Sequence, residues 1–124
     1  MRALIVDDDE TSCRLLAKVL QSCEIEVDWR IDSCDGYGQA LSGDYDLLVL
    51  DVRMPKLSGT EFAARIKQAL PEVKIILISA FADEHLRNTA AALEVALLSK
   101  PFTPQHLLAL ATSLLWQPTE PRCH

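Results

Sequence analysis

Four apolar residues, Leu47, Leu48, Val49 and Leu50, run without a break into Asp51. An amphipathic helix or a half-exposed strand would place a polar residue inside such a stretch. The run therefore belongs to a strand buried on both faces, as in a parallel sheet. Asp51 then falls at the carboxyl end of that strand, where an open α/β sheet presents its ligands. Met54-Pro55 and Gly59 bracket a loop before a helical pattern begins at Thr60, and Pro55 turns Met54 away from helix.

Burial on both faces demands covering layers, and the rest of the chain supplies them. Residues 3–6 form a short apolar run ending in Asp7-Asp8-Asp9-Glu10. From Thr11 the period changes, and Leu15, Leu16, Val19, Leu20 and Cys23 share one helical face. Residues 24–31 alternate strictly, with Ile25, Val27, Trp29 and Ile31 apolar, which predicts an edge strand covered on one face. Residues 33–41 form a short helix candidate containing Gly36 and Gly38. Beyond the loop, residues 60–70 predict a helix with Phe62, Ala63, Ile66 and Leu70 inward, stopped by Pro71. Residues 73–78 are a strand closing on Ser79-Ala80, and residues 83–93 an alanine-rich helix. Residues 95–98 are a fifth strand leading to Ser99-Lys100-Pro101-Phe102, and residues 103–116 the last helix. Residues 118–124 read as a flexible tail, leaving residues 1–117 as the domain.

Strands alternating with helices predict a parallel sheet with helices on both faces and right-handed crossovers. With the amphipathic second strand at an edge, the five strands take the doubly wound order 2-1-3-4-5 of a flavodoxin-like (βα)5 domain. At 124 residues and 49% hydrophobic, the chain suits one compact domain with an adequate core. No apolar run approaches the ~20 residues of a membrane span. The N-terminal apolar stretch is too short for a signal peptide, so a cytoplasmic location is expected. A net charge of −6 without a basic run argues against nucleic acid or an anionic membrane as direct partner. Cys13, Cys23, Cys34 and Cys123 lack metal-type spacing, and His85, His106 and His124 are scattered. Glycine-rich nucleotide-cradling motifs are absent.

In the expected strand order, Asp7, Asp8, Asp51, Ser79 and Lys100 all converge at carboxyl ends of strands. Taken singly, each has an ordinary reading: the acids as helix caps, the serine as a turn residue, the lysine as a solvated charge. Together they describe a site. Three carboxylates in one place repel one another unless a cation or raised pKa values relieve them. An all-oxygen donor set suits Mg²⁺, with Mn²⁺ as substitute. Lys100 adds a positive charge for an incoming anion, and a phosphoryl group would divide its oxygens among cation, ammonium and hydroxyl. Asp51 could then attack as nucleophile and form an acyl phosphate.

The ordered motifs V-D-D-D at residues 6–9, L-D-V-R-M-P at 50–55, L-S-G at 57–59, I-S-A at 78–80 and S-K-P-F at 99–102 resemble those of a response-regulator receiver domain. The resemblance covers the chain from Arg2 to about Trp116. It implies that Asp51 is the phospho-acceptor, taking its phosphoryl group from a phosphohistidine on a sensor histidine kinase or a histidine phosphotransfer protein. Asp7 and Asp8 match the Mg²⁺-site acids, with Asp8 the closer ligand and the backbone carbonyl of Arg53 completing the set. Ser79 matches the hydroxyl residue that turns towards the phosphoryl group, and Lys100 the residue that pairs with it. A cis Lys100-Pro101 bond is implied as well. The chemistry expected is self-catalysed phosphotransfer and autodephosphorylation in two-component signal transduction, not turnover of a separate substrate. The product is a phosphoprotein that switches its surface for a downstream protein, as a monomer or weak homodimer.

Two positions depart from the family pattern. Leu97 stands where an aromatic residue usually swings inward, and Leu93 where a glycine is usual. Both lie on the face formed by the fourth helix, fifth strand and fifth helix, which normally reports phosphorylation. That face is expected to respond by repacking or ordering of the alanine-rich helix. Arg53 and Phe81, two residues after Asp51 and Ser79, match positions that tune phosphoryl lifetime. Two alternatives stand beside this reading. One is a degenerate receiver that docks partners without phosphorylation. The other is an aspartyl-nucleophile phosphohydrolase, for which Arg53 occupies the place of the needed second acid.

Overall fold

The computed structural model describes residues 1–116; the expected tail at residues 118–124 lies outside the described residues. The elements alternate in the order β1 (Arg2–Val6), α1 (Glu10–Gln21), β2 (Glu26–Arg30), α2 (Ser33–Ser42), β3 (Leu47–Asp51), α3 (Gly59–Ala69), β4 (Lys74–Ser79), α4 (Glu84–Leu93), β5 (Ala96–Ser99) and α5 (Pro104–Leu115). All five strands are parallel, in the order β2-β1-β3-β4-β5. This is the doubly wound arrangement that the sequence predicts, with β2 at one edge.

Side chains alternate across the three central strands and divide the core into two layers. Leu4, Val6, Leu48, Leu50, Ile75 and Leu77 face the layer closed by α2, α3 and α4, where Phe62 and Ile66 are fully buried. Ala3, Ile5, Leu47, Val49, Ile76 and Ile78 face the layer closed by α1 and α5, through Leu16, Leu20, Leu107 and Ala111. The edge strand is shorter than its alternation promised. It stops at Arg30, and Ile31 is 47% exposed because the chain turns there into Asp32, the N-cap of α2.

Two glycines set close approaches that position the site. A Cβ on Gly36 would lie 2.7 and 2.8 Å from the Val6 methyls, so the bare backbone lets α2 pack against the end of β1. A Cβ on Gly59 would collide with the Asp51 carbonyl oxygen, so α3 starts directly against the end of β3. The Gly59 N–H donates to the Val52 carbonyl at 2.9 Å, closing the intervening loop on itself. Among the described residues, no helix is long and apolar enough to cross a membrane.

Candidate functional site

Strand pairing brings the polar residues together. Val6 pairs with Leu50, Asp51 with Ile78 and Ser79 with Ser99, so the residues following β1, β3, β4 and β5 meet at one end of the sheet. Carboxylate oxygens of Asp7, Asp8 and Asp51 all lie within 4.8 Å of one another. Lys100 reaches in from beyond β5, its Nζ 3.8 Å from Asp51 Oδ1. Its backbone N–H donates to the Ser79 carbonyl at 2.8 Å, and the Lys100-Pro101 bond is cis.

The three aspartates that follow β1 separate by role. Asp9 caps α1: its side chain accepts from the Thr11 N–H at 3.1 Å and from the Ser12 hydroxyl at 3.1 Å. Asp7 is only 3% exposed, and its Oδ1 accepts from the Asp9 N–H at 3.0 Å. Its second oxygen, Oδ2, is buried with no hydrogen-bond partner among the described residues. An orphaned buried carboxylate oxygen is costly. It points to a ligand that accepts its lone pair. Asp8 is exposed and offers the open side of the cluster.

The electrostatics agree. Burial raises the pKa of Asp7, with the neighbouring Asp8 and Asp9 charges adding to the effect against the opposing Asp9 N–H and Lys100. Burial and the Asp7 charge push Asp51 up to about 6, although Lys100 and the Arg53 backbone N–H act in the opposite direction. One ammonium does not neutralise three carboxylates. The donors are all oxygens, buried on one side and open on the other, which fits a hard divalent cation such as Mg²⁺. The thiol of Cys13 backs the cluster from inside, 3.3 Å from the Asp7 carbonyl, and burial followed by the Asp7 charge pushes it up to about 12.

Ser79 is buried, and its Oγ accepts from the Phe81 N–H at 3.0 Å. Its own proton has no acceptor among the described residues. The Phe81 ring is 67% exposed and Arg53 is exposed, so both stand at the rim of the site. Leu97 is partly buried against the α2–α3–α4 layer. A groove of about 470 Å³ leads from Asp7 and Lys100 between α1 and the start of α5, past Leu15, Val19 and Phe102. A second cleft, of about 460 Å³, sits at the opposite end of the strands among Met1, Tyr45, Asp46 and Lys74 and shares no residue with the site.

The sequence reading missed the support given by the β2–α2 junction. Ser33 bonds to Pro55 and Leu57, and Asp32 pairs with Lys56. These contacts join residues more than twenty positions apart, and neither serine nor aspartate there carries a local signal beyond helix capping.

A model of the response regulator receiver domain family matches residues 3–112. The chain is 31% identical over 118 residues to the transcriptional regulatory protein CusR of Escherichia coli K12, covering 93% of this chain and 51% of CusR. It is 34% identical over 115 residues to the response regulator ArlR of Staphylococcus aureus Mu50, covering 90% of this chain and 51% of ArlR. The chain thus spans about half the length of these curated relatives. Among solved structures, the response regulator TrrA of Thermotoga maritima in complex with Mg²⁺-BeF superposes with a TM-score of 0.83 at 33% identity, covering 92% of this chain and 98% of that one.

Proposed function

Since the chain belongs to the response regulator receiver domain family, we propose that it is a phosphorylation switch that accepts a phosphoryl group on Asp51. The donor would be a phosphohistidine of a sensor histidine kinase or a histidine phosphotransfer protein. The observation that carries this reading is the cluster itself: three carboxylates within 4.8 Å, one of them with an orphaned buried oxygen, facing a lysine 3.8 Å from Asp51.

The chemistry follows from these positions. An Asp51 carboxylate oxygen attacks phosphorus, a P–O bond forms as the P–N bond breaks, and the electron pair leaves with the imidazole. Lys100 stays beside Asp51 and offsets the charge that the phosphoryl oxygens bring. The Ser79 hydroxyl already accepts from Phe81 N–H and keeps its own proton to donate to a phosphoryl oxygen. A divalent cation held by Asp7, Asp8, Asp51 and the Arg53 backbone carbonyl would draw charge from the phosphoryl oxygens; Mg²⁺ suits that set, Mn²⁺ can replace it, and the complex of the similar TrrA with Mg²⁺-BeF supports this reading. Loss of the phosphoryl group is hydrolysis of the acyl phosphate by water entering at the rim beside Arg53 and Phe81. The chain turns over no separate substrate in this scheme.

The domain proposed for this activity is residues 1–117. Its output is a change in the face made by α4, β5 and α5, read by a downstream protein. The test is intact mass after incubation with Mg²⁺ and acetyl phosphate. The parent gains one phosphoryl group, Asp51→Ala gains none, and EDTA abolishes the gain. No gain in the parent would replace this reading with that of a docking module that works unmodified.

A further inference from the structure

Asp51 is followed by a loop whose start is tied to β4 and whose end folds back on that start. The Val52 N–H donates to the Ile78 carbonyl and the Gly59 N–H to the Val52 carbonyl, both at 2.9 Å. The middle of the loop contains a strained turn. Lys56 has φ 73°, and across it the Leu57 N–H donates to the Pro55 carbonyl at 2.8 Å. A bond of that span around a residue of positive φ makes a γ-turn of the rare, strained sense. Such a conformation in a residue with a side chain persists only where its surroundings hold it.

The surroundings here are two adjacent residues of another connection. Ser33 is 3% exposed, and its hydroxyl donates to the Pro55 carbonyl at 2.7 Å while accepting from the Leu57 N–H at 3.2 Å. One hydroxyl thus touches both ends of the turn. Asp32 holds the residue at its apex, with Lys56 Nζ 3.1 Å from its Oδ2. The Ser33 hydroxyl is not needed by its own helix, because the Asp32 side chain already caps α2 by accepting from the Cys34 N–H. Its bonding capacity is directed to a loop more than twenty residues away.

We infer that Ser33 is a positioning residue for the phosphoryl site: by clamping the Pro55–Leu57 turn it fixes the loop that carries Arg53, whose backbone carbonyl would serve the cation. This rests on the reading of the acid cluster as a Mg²⁺ site. The exposed ion pair of Asp32 and Lys56 secures the same turn from the solvent side, with a smaller share. Residues that orient a metal's ligands typically change its affinity about 10–100-fold when altered. A buried serine that served packing alone would change stability and leave affinity untouched.

The experiment is calorimetric titration of MgCl₂ into the full chain, well below its melting temperature, together with amide exchange at Leu57. Ser33→Ala should bind Mg²⁺ about tenfold more weakly and exchange its Leu57 amide faster. Equal affinity in Ser33→Ala, with or without a lower Tm, overturns the positioning role. Should Ser33→Ala fail to fold, the surface variant Lys56→Ala decides. A loss of Mg²⁺ affinity, smaller than the about 10–100-fold expected of a residue that orients a ligand directly, upholds the role, and no loss overturns it. A parent that binds no Mg²⁺ would overturn the metal-site reading and the Ser33 role with it. A parent that binds while Ser33→Ala binds equally overturns the Ser33 role alone.

Discussion

Asp7 and Asp9 are two positions apart and do opposite work. Asp9 spends its oxygens on the first turn of α1, whereas Asp7 buries one oxygen with no hydrogen-bond partner among the described residues. The residue pattern by itself announced a cluster of acids, and only the family resemblance set Asp7 and Asp8 apart from Asp9, because by spacing either Asp7 or Asp9 could have been the cap. Asp51 carries the consequence for stability. Its pKa in the folded, metal-free protein is about 6 against an ordinary 3.8, because burial and Asp7 disfavour its charged form. A carboxyl raised on folding contributes stability fully below its unfolded pKa and loses it as pH rises through the folded one. In EDTA the parent should therefore lose up to about 3 kcal/mol from this group between roughly pH 4 and pH 7. Asp51→Asn should abolish that loss, giving a higher urea midpoint than the parent at pH 7.5 and a similar one near pH 3. Parallel pH profiles for the two proteins would contradict the account of this site.

At the scale of elements, α4 has few large anchors in the core. It buries only Leu86 and Ala90, its N-terminus depends on Asp83 accepting from the Leu86 N–H at 2.8 Å, and its C-terminus ends in a left-handed Glu94 at φ 60°. The departure at Leu93 is thereby explained. The left-handed residue that closes the helix is Glu94, so Leu93 remains helical and packs against the core with Val95 and Leu97. Helix boundaries depend on such single-residue shifts, which spacing in the sequence does not reveal. Asp83→Ala should cost about 1 kcal/mol, read as a lower urea midpoint, by releasing the first turn. Leu97 lacks the ring that would move as a unit, and we propose that the response of this face to phosphorylation comes from repacking of α4. Amide exchange in α4 should then slow when Mg²⁺ and beryllofluoride are added. Unchanged exchange there, with changes elsewhere, would place the response in another element.

Across the whole molecule, function follows from strand order. The unbroken run from Leu47 to Leu50 required two covered faces, and the alternation in β2 required an edge; together they dictated an order that gathers Asp7, Asp51, Ser79 and Lys100 at one end. That much was legible because hydrophobic period reports burial directly. The clamp of Ser33 on Pro55 was not, since it depends on how two loops approach after the sheet has formed. Gly36 shows how tightly that approach is set. Gly36→Ala would drive a methyl carbon to within 2.7 Å of Val6, the residue before Asp7. The expected cost is about 1–3 kcal/mol in urea denaturation, and an unchanged midpoint would show that α2 can move away freely. The central claim, that Asp51 is the phospho-acceptor, is tested most directly by locating the acyl phosphate. Protein treated with Mg²⁺ and acetyl phosphate is reduced with borohydride, which converts a phosphorylated aspartate to homoserine, and is then sequenced by tandem mass spectrometry. The account predicts homoserine at position 51 and aspartate at positions 7 and 8. Homoserine at either of those positions, or unmodified aspartate at all of them, would contradict it.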